Sequence, residues 1–95
     1  MDDATVLHHL EELTTRLGIE LRYEAAAGRA GLCVLRGRRV AVVDDSLRVP
    51  ERVEALMTIL AEEPIEDVYL PPAVRERILA EKAKHTTGDQ PPPRQ

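Results

Sequence analysis

Phenylalanine and tryptophan are absent from this 95-residue chain, and Tyr23 and Tyr69 are its only large aromatic side chains. A core must therefore be assembled from Leu, Val, Ile and Ala. The same absence removes the platforms on which single-stranded nucleic acids stack. There is one cysteine, Cys33, which excludes an internal disulfide framework and a cysteine-built zinc site. No apolar run approaches the ~20 residues of a membrane-spanning helix. Met1-Asp2-Asp3 is acidic where a secretory signal would be basic, and a helical pattern follows directly. Together these absences point to a reducing, cytoplasmic setting. A chain of this length buries roughly 60–70% of its unfolded surface. That suffices for one modest core, excludes a second domain and leaves little room for a deep cleft.

What is present divides cleanly by period. Val6, Leu10, Leu13 and Leu17 recur every three or four residues, so residues 3–17 should form an amphipathic helix capped by Asp2 or Asp3 and ended by Gly18. Ile19, Leu21 and Tyr23 then alternate with Glu20, Arg22 and Glu24, the pattern of a strand with one wet face. Residues 32–36 and 39–44 predict a hairpin about a type II′ turn at Gly37-Arg38, with Cys33 opposite Val42 and Leu32 opposite Val43. Both faces of that hairpin are apolar, so cover on both sides is expected, from the fold or from an oligomer. Pro50 suits the start of a second helix whose stripe is Val53, Leu56, Met57 and Leu60, and Pro64 stops it. The pattern allows a short edge strand at Val68-Tyr69-Leu70. A third helix opens at Pro71-Pro72 and runs to about residue 84, with thin apolar content. The expected fold is a single α+β domain over residues 1–84, a helix followed by a three-stranded antiparallel meander and two further helices. Residues 85–95, with three consecutive prolines, read as a disordered tail.

Charge is segregated. Residues 1–24 carry net −4, residues 25–43 net +4, residues 44–67 net −6 and residues 68–95 net +2, cancelling to −4. The +4 segment contains Arg29, Arg36, Arg38 and Arg39 and no acid. Three of these arginines cluster at the hairpin tip, where they are either solvated turn residues or contacts for an acidic surface. The acidic total argues against nucleic acid as the partner. Glu62 and Glu63 close the second helix where negative charge is unfavourable, either as a solvated helix end or with a cation partner nearby.

The chemistry-bearing residues do not assemble into a motif. His8 and His9 are adjacent on a helix and point about 100° apart; His8 and Glu12, one turn apart, would supply two metal ligands without a third. Cys33 sits mid-strand among Leu and Val, the setting of an inert buried thiol. Asp44 and Asp45, at a strand end, are either turn-capping residues or, with Glu20, ligands of a divalent metal. No nucleophile–histidine–acid set or glycine-rich phosphate loop is found.

The run from Gly31 to Asp45, GLCVLRGRRVAVVDD, followed by the helix PERVEALM from Pro50 to Met57, resembles the hairpin-then-helix segment of ImmA/IrrE-like zinc peptidases. In that family the helix carries HExxH, two histidines one turn apart binding zinc and a glutamate acting as base. This chain has Met57, Thr58 and Ala61 in that region, so the resemblance implies neither zinc nor peptidase activity. The order of elements is also similar to the αβββαβ core of restriction-endonuclease-like nucleases, again without the acidic and Glu-x-Lys strand positions. Each resemblance implies at most a non-catalytic relative.

The expected function is that of a small non-enzymatic module that contacts protein, another protein or a second copy of itself as a homodimer. Its basic hairpin (Arg36, Arg38, Arg39) would dock on an acidic surface, with Tyr23 and Tyr69 as anchors where exposed. No cofactor, metal or membrane partner is called for. The alternative is a small metal-dependent enzyme or degenerate hydrolase-like domain centred on Asp44 and Asp45.

Overall fold

The computed structural model of the chain describes residues 1–88, with side chains over residues 1–84. Its elements are α1 (Asp3–Arg16), β1 (Glu20–Glu24), β2 (Ala30–Leu35), β3 (Arg38–Asp44), α2 (Val49–Leu60) and α3 (Pro72–Gly88). The Asp2 carboxylate caps α1 by accepting the Thr5 N–H at 2.8 Å, as an N-cap aspartate should. Gly18, at φ +76°, ends the helix in the left-handed conformation that costs glycine nothing. The Ile19 N–H then donates back to the Thr14 carbonyl at 2.9 Å and turns the chain into β1.

The fold is α+β, but the sheet is not a meander. Its strand order is β1-β3-β2, with β1 parallel to β3 and β2 antiparallel to it. After β1 the chain passes the neighbouring position, lays down β2 one strand further out, and returns through a hairpin to fill the gap with β3. The reason lies in composition. Val40-Ala41-Val42-Val43 is a continuous apolar run, the signature of a strand bonded on both edges and covered on both faces. Alternating β1 can stand at an edge.

The hairpin turn also differs by one residue from expectation. Arg36 and Gly37, at φ 54° and 79°, occupy its two corners, which is type I′ geometry. Cys33 therefore lies opposite Val40 and Leu32 opposite Ala41. The register moves by two, so no side chain changes face.

Ala41 and Val43 of β3 join Ile19 and the buried stripes of α1 and α2 in one core, with Leu21 and Tyr23 partly buried against it. On the opposite face Val40 is sealed off but lies outside that core. Around it stand Leu35 and the side chains of Glu20, Arg22 and Arg38, whose stems cover apolar surface while their charged ends remain wet. In α2, Val53, Leu56, Met57, Ile59 and Leu60 are buried; the Arg48 N–H donates to Glu51 at 2.8 Å to close its first turn.

No strand forms at Val68-Tyr69-Leu70. Side chains take the backbone carbonyls that a strand would have offered: Arg75 donates to those of Ile65 and Val68, and Arg16 to that of Tyr69. Ile65 and Leu70 are instead core residues in an irregular segment. α3 is more than a surface helix, since Val74 and Ile78 are fully buried. It continues to Gly88, beyond its expected end at residue 84, so the expected tail is helical in its first part; the rest, residues 89–95, lies outside the described residues.

Candidate interaction surface

The surface that demands explanation is β2. All six of its residues are exposed, and none is charged or proline. Its position makes it an edge strand, bonded to β3 alone. The expected cover over both faces of the hairpin is therefore not supplied by this chain: β3 is largely buried, with Val42 of its outer face partly exposed, and β2 is not buried at all. Cys33, expected to be buried, is exposed. Leu32 and Val34, 39% and 64% exposed, extend the inner, apolar face and stay largely uncovered even though α2 runs beside β2. The other edge of the sheet is treated differently. β1 carries Glu20, Arg22 and Glu24, the charges by which edge strands discourage pairing.

Backbone geometry adds to this. Bonded and non-bonded pairs alternate along an antiparallel ladder, and the Asp44 N–H donates to the Arg29 carbonyl at 3.0 Å. From that phase and the register, Gly31, Cys33 and Leu35 bond β3. The N–H and C=O groups of Ala30, Leu32 and Val34 are aimed at the open edge.

The arginines of the hairpin have separate fates. Arg39 is a structural residue: its Nη1 lies 2.6 Å from Glu63, and its Nη2 donates to the Leu17 carbonyl at 2.8 Å. Glu63 is almost fully buried, and Lys82 donates to the Ala61 and Glu63 carbonyls. The acidic end of α2 thus has its cations within the chain. Arg38 reaches Glu20 at 3.4 Å but stays three-quarters exposed, a pair of small energetic weight. Glu20 is held below its ordinary range chiefly by its hydrogen bond from Arg22. Arg36, at the turn itself, is exposed and has no ion-pair partner among the described residues.

The tyrosines also part company. Tyr23 is half-buried on the inner face, donating to Glu11 of α1 beneath the guanidinium of Arg52, 4.6 Å from its ring centre. Arg52 is itself fixed by the Leu47 and Asp45 carbonyls, at 2.8 and 2.9 Å. Burial first, and then the bond to Glu11, push the phenol above its ordinary 10.0, so it remains a protonated donor. With Arg38 and Arg39 it lines an open concavity of about 650 Å³ between α1 and β1. Tyr69 is the more exposed, at 75%, and stands apart beside His9, Glu12 and Arg16 of α1.

Asp44 proves to be the clasp of the crossover. Its carboxylate accepts the Ser46 N–H at 2.9 Å and that of Gly28 in the β1–β2 loop, where Ala27 and Gly28 take positive φ in succession. The Asp45 N–H meanwhile donates to the Glu24 carbonyl at 3.0 Å, so the end of β3 is tied to both neighbouring strands. Among the described residues no three His, Cys, Asp or Glu side chains gather as metal ligands would; His8 and Glu12 pair at 3.2 Å without a third.

The bonds from Ser46 and then Gly28 hold the Asp44 carboxyl below its ordinary 3.8. A group depressed in the folded state contributes stability that is complete above its unfolded value, ~3.9, and lost as pH falls through the folded one. Thermal unfolding of Asp44→Asn should therefore show a lower Tm at neutral pH and a shallower fall below about pH 4 than the native chain. Equal slopes in the two proteins would show that Asp44 clasps nothing.

Leu32 and Val34 belong to the hairpin whose cover was expected from the fold or from an oligomer, and within this chain they stay exposed. The signal that distinguishes them is the contrast between two edges, one rich in charge and one without any. No family model, curated protein or solved structure matches this chain.

Proposed function

We propose that this protein is a small docking module that works by protein–protein contact, through the open edge of β2 and the arginine-bearing tip beside it. One observation carries this reading: a six-residue apolar strand, exposed throughout, presents unpaired backbone groups at the edge of an otherwise protected sheet. Such an edge is the template for strand addition, in which main-chain hydrogen bonds supply affinity and alternate side chains supply selectivity. Arg36 and the largely exposed Arg38 extend the surface with positive charge and favour an acidic partner face. The exposed Cys33 favours a reducing compartment such as the cytoplasm. No helix is long and apolar enough to cross a membrane among the described residues.

The alternative centred on Asp44 and Asp45 has less support, because the Asp44 carboxylate is already engaged by two backbone N–H groups.

The test is capture with the tagged full chain against Val34→Lys, in extracts of the source cells to which untagged chain is added. Val34 is mostly exposed, so the substitution should leave the Tm within about 0.5 kcal/mol equivalent of native while placing a charge on the edge. A binder retained by the native chain and lost by Val34→Lys supports the reading. The reading fails if nothing, the untagged chain included, binds in a β2-dependent way.

A further inference from the structure

We infer that β2 is the seam of a two-fold symmetric homodimer, in which it pairs antiparallel with the β2 of a second copy about Leu32. This rests on the reading of β2 as the docking edge and names its occupant.

Three observations select it. The first is the phase of the free backbone groups. They belong to Ala30, Leu32 and Val34, since the intervening residues bond β3. This set is symmetric about Leu32. A two-fold axis there places Leu32 opposite Leu32 and Ala30 opposite Val34 of the second copy, each a hydrogen-bonded pair. Every outward N–H and C=O of the three residues then finds a partner. An axis at Cys33 would leave Ala30 facing the turn residue Arg36 and lose part of the ladder.

The second is the distribution of apolar surface. An axis perpendicular to the sheet keeps like faces together, so Leu32 and Val34 of both copies meet on the inner face. These are the side chains that the helical layer leaves exposed. Burying them against their own kind removes the apolar surface that this chain alone leaves wet.

The third is charge. Antiparallel pairing brings the hairpin tip of one copy to the opposite end of the other copy's sheet. That end carries the exposed carboxylates of Glu24 and Asp45, whereas the tip carries the exposed Arg36 without an ion-pair partner among the described residues. In the Leu32-centred register the tip of one copy, with Arg36, comes to the end of the other copy's sheet that holds Glu24 and Asp45, beside its exposed Arg29. The result is a continuous six-stranded sheet with helices on one face.

The test is the oligomeric state of the full chain by sedimentation equilibrium, from micromolar to millimolar concentration. It is combined with two variants at an exposed position. The native chain should show a concentration-dependent monomer–dimer equilibrium. Leu32→Lys sets two like charges directly opposite each other at the axis, and should weaken association by more than about tenfold. Leu32→Cys in a Cys33→Ser background places two thiols in a bonded pair with Cα atoms about 5.5 Å apart, within disulfide range. Oxidised glutathione should therefore convert it to a disulfide-linked dimer, the two thiols giving up two protons and two electrons as glutathione disulfide is reduced to two thiols. A native chain that stays monomeric throughout overturns the inference. β2-dependent capture of another protein would then leave the docking reading standing. A dimer that survives Leu32→Lys and does not crosslink at position 32 also overturns it. If Leu32→Lys does not fold, the crosslinking measurement decides by itself.

Discussion

Replacing Arg39 with methionine should destabilise the fold by about 2–3 kcal/mol, measured by urea denaturation, although Arg39 reads in the sequence as a surface arginine. The cost comes from what is left behind. Glu63 is only 5% exposed, and its carboxylate lies 2.6 Å from Arg39 Nη1. Removing one member of a buried ion pair strands the other charge away from water, which costs about 3–5 kcal/mol in well-buried cases. The guanidinium side is 38% exposed, so water screens part of the loss and the lower range follows. The carbonyl of Leu17, which closes α1, loses its donor as well. Glu63→Gln, which keeps an acceptor without the charge, should cost less. The double variant Arg39→Met, Glu63→Leu should recover most of the stability, because an apolar pair of similar volume pays no desolvation penalty. Arg36→Ala should leave stability unchanged to within about 0.5 kcal/mol while weakening association. If Arg39→Met cost no more than Arg36→Ala, the Arg39–Glu63 pair would be an ordinary surface contact.

Truncating Ile78 to alanine should cost about 3 kcal/mol, whereas Leu79→Ala, one residue on, should stay within about 0.5 kcal/mol. Ile78 is fully buried and Leu79 is 47% exposed. Ile78 and Val74, one helical turn apart, insert into the core cluster of α1, α2 and β3. The loss includes the transfer energy of the deleted methylenes and the cavity they leave. In a domain this small the total stability is only about 5–10 kcal/mol, so the Tm should fall by something on the order of 15 °C. Circular dichroism melts of the two variants separate the outcomes. Similar melts for both would mean that α3 lies on the surface, as its sparse apolar content suggests.

The helices were legible because their evidence is local. Asp2, the Val6–Leu10–Leu13 spacing and Gly18 define α1 within consecutive turns, and Pro50 with the Val53–Leu60 stripe defines α2. The strand segments were legible for the same reason, since period-two alternation in β1 and the glycine at the hairpin both act over a few residues. The turn was misplaced by one position because Gly37 serves a two-residue turn from either corner. Choosing type I′ required Arg36 to accept φ 54°, a preference that the ladder imposes and the residue does not advertise.

The candidate surface was half legible. The cluster of Arg36, Arg38 and Arg39 and the uncovered hairpin were visible as patterns. Which arginine is structural depends on Glu63, 24 positions away. Which tyrosine is exposed depends on Glu11 and Arg52, brought to Tyr23 from two different helices. Asp44 reads in the sequence as a turn-capping residue with metal ligation as the alternative, and only the fold brings Gly28, 16 positions upstream, to donate to it.

By itself, then, the sequence determined the three helices and the three strands of the sheet, though not the absence of a strand at Val68-Tyr69-Leu70, together with the lack of large aromatics and the segregation of charge, because periodicity, capping and composition act between neighbours along the chain. Tertiary structure alone decided the order β1-β3-β2, and with it which apolar strand is central and which stands open at the edge. Strand order is set by competition for backbone partners across the whole sheet. Val40–Val43 wins the doubly bonded slot, Asp44 clasps it there, and Ala30–Leu35 is left at the edge with the hydrogen-bonding groups of Ala30, Leu32 and Val34 unspent.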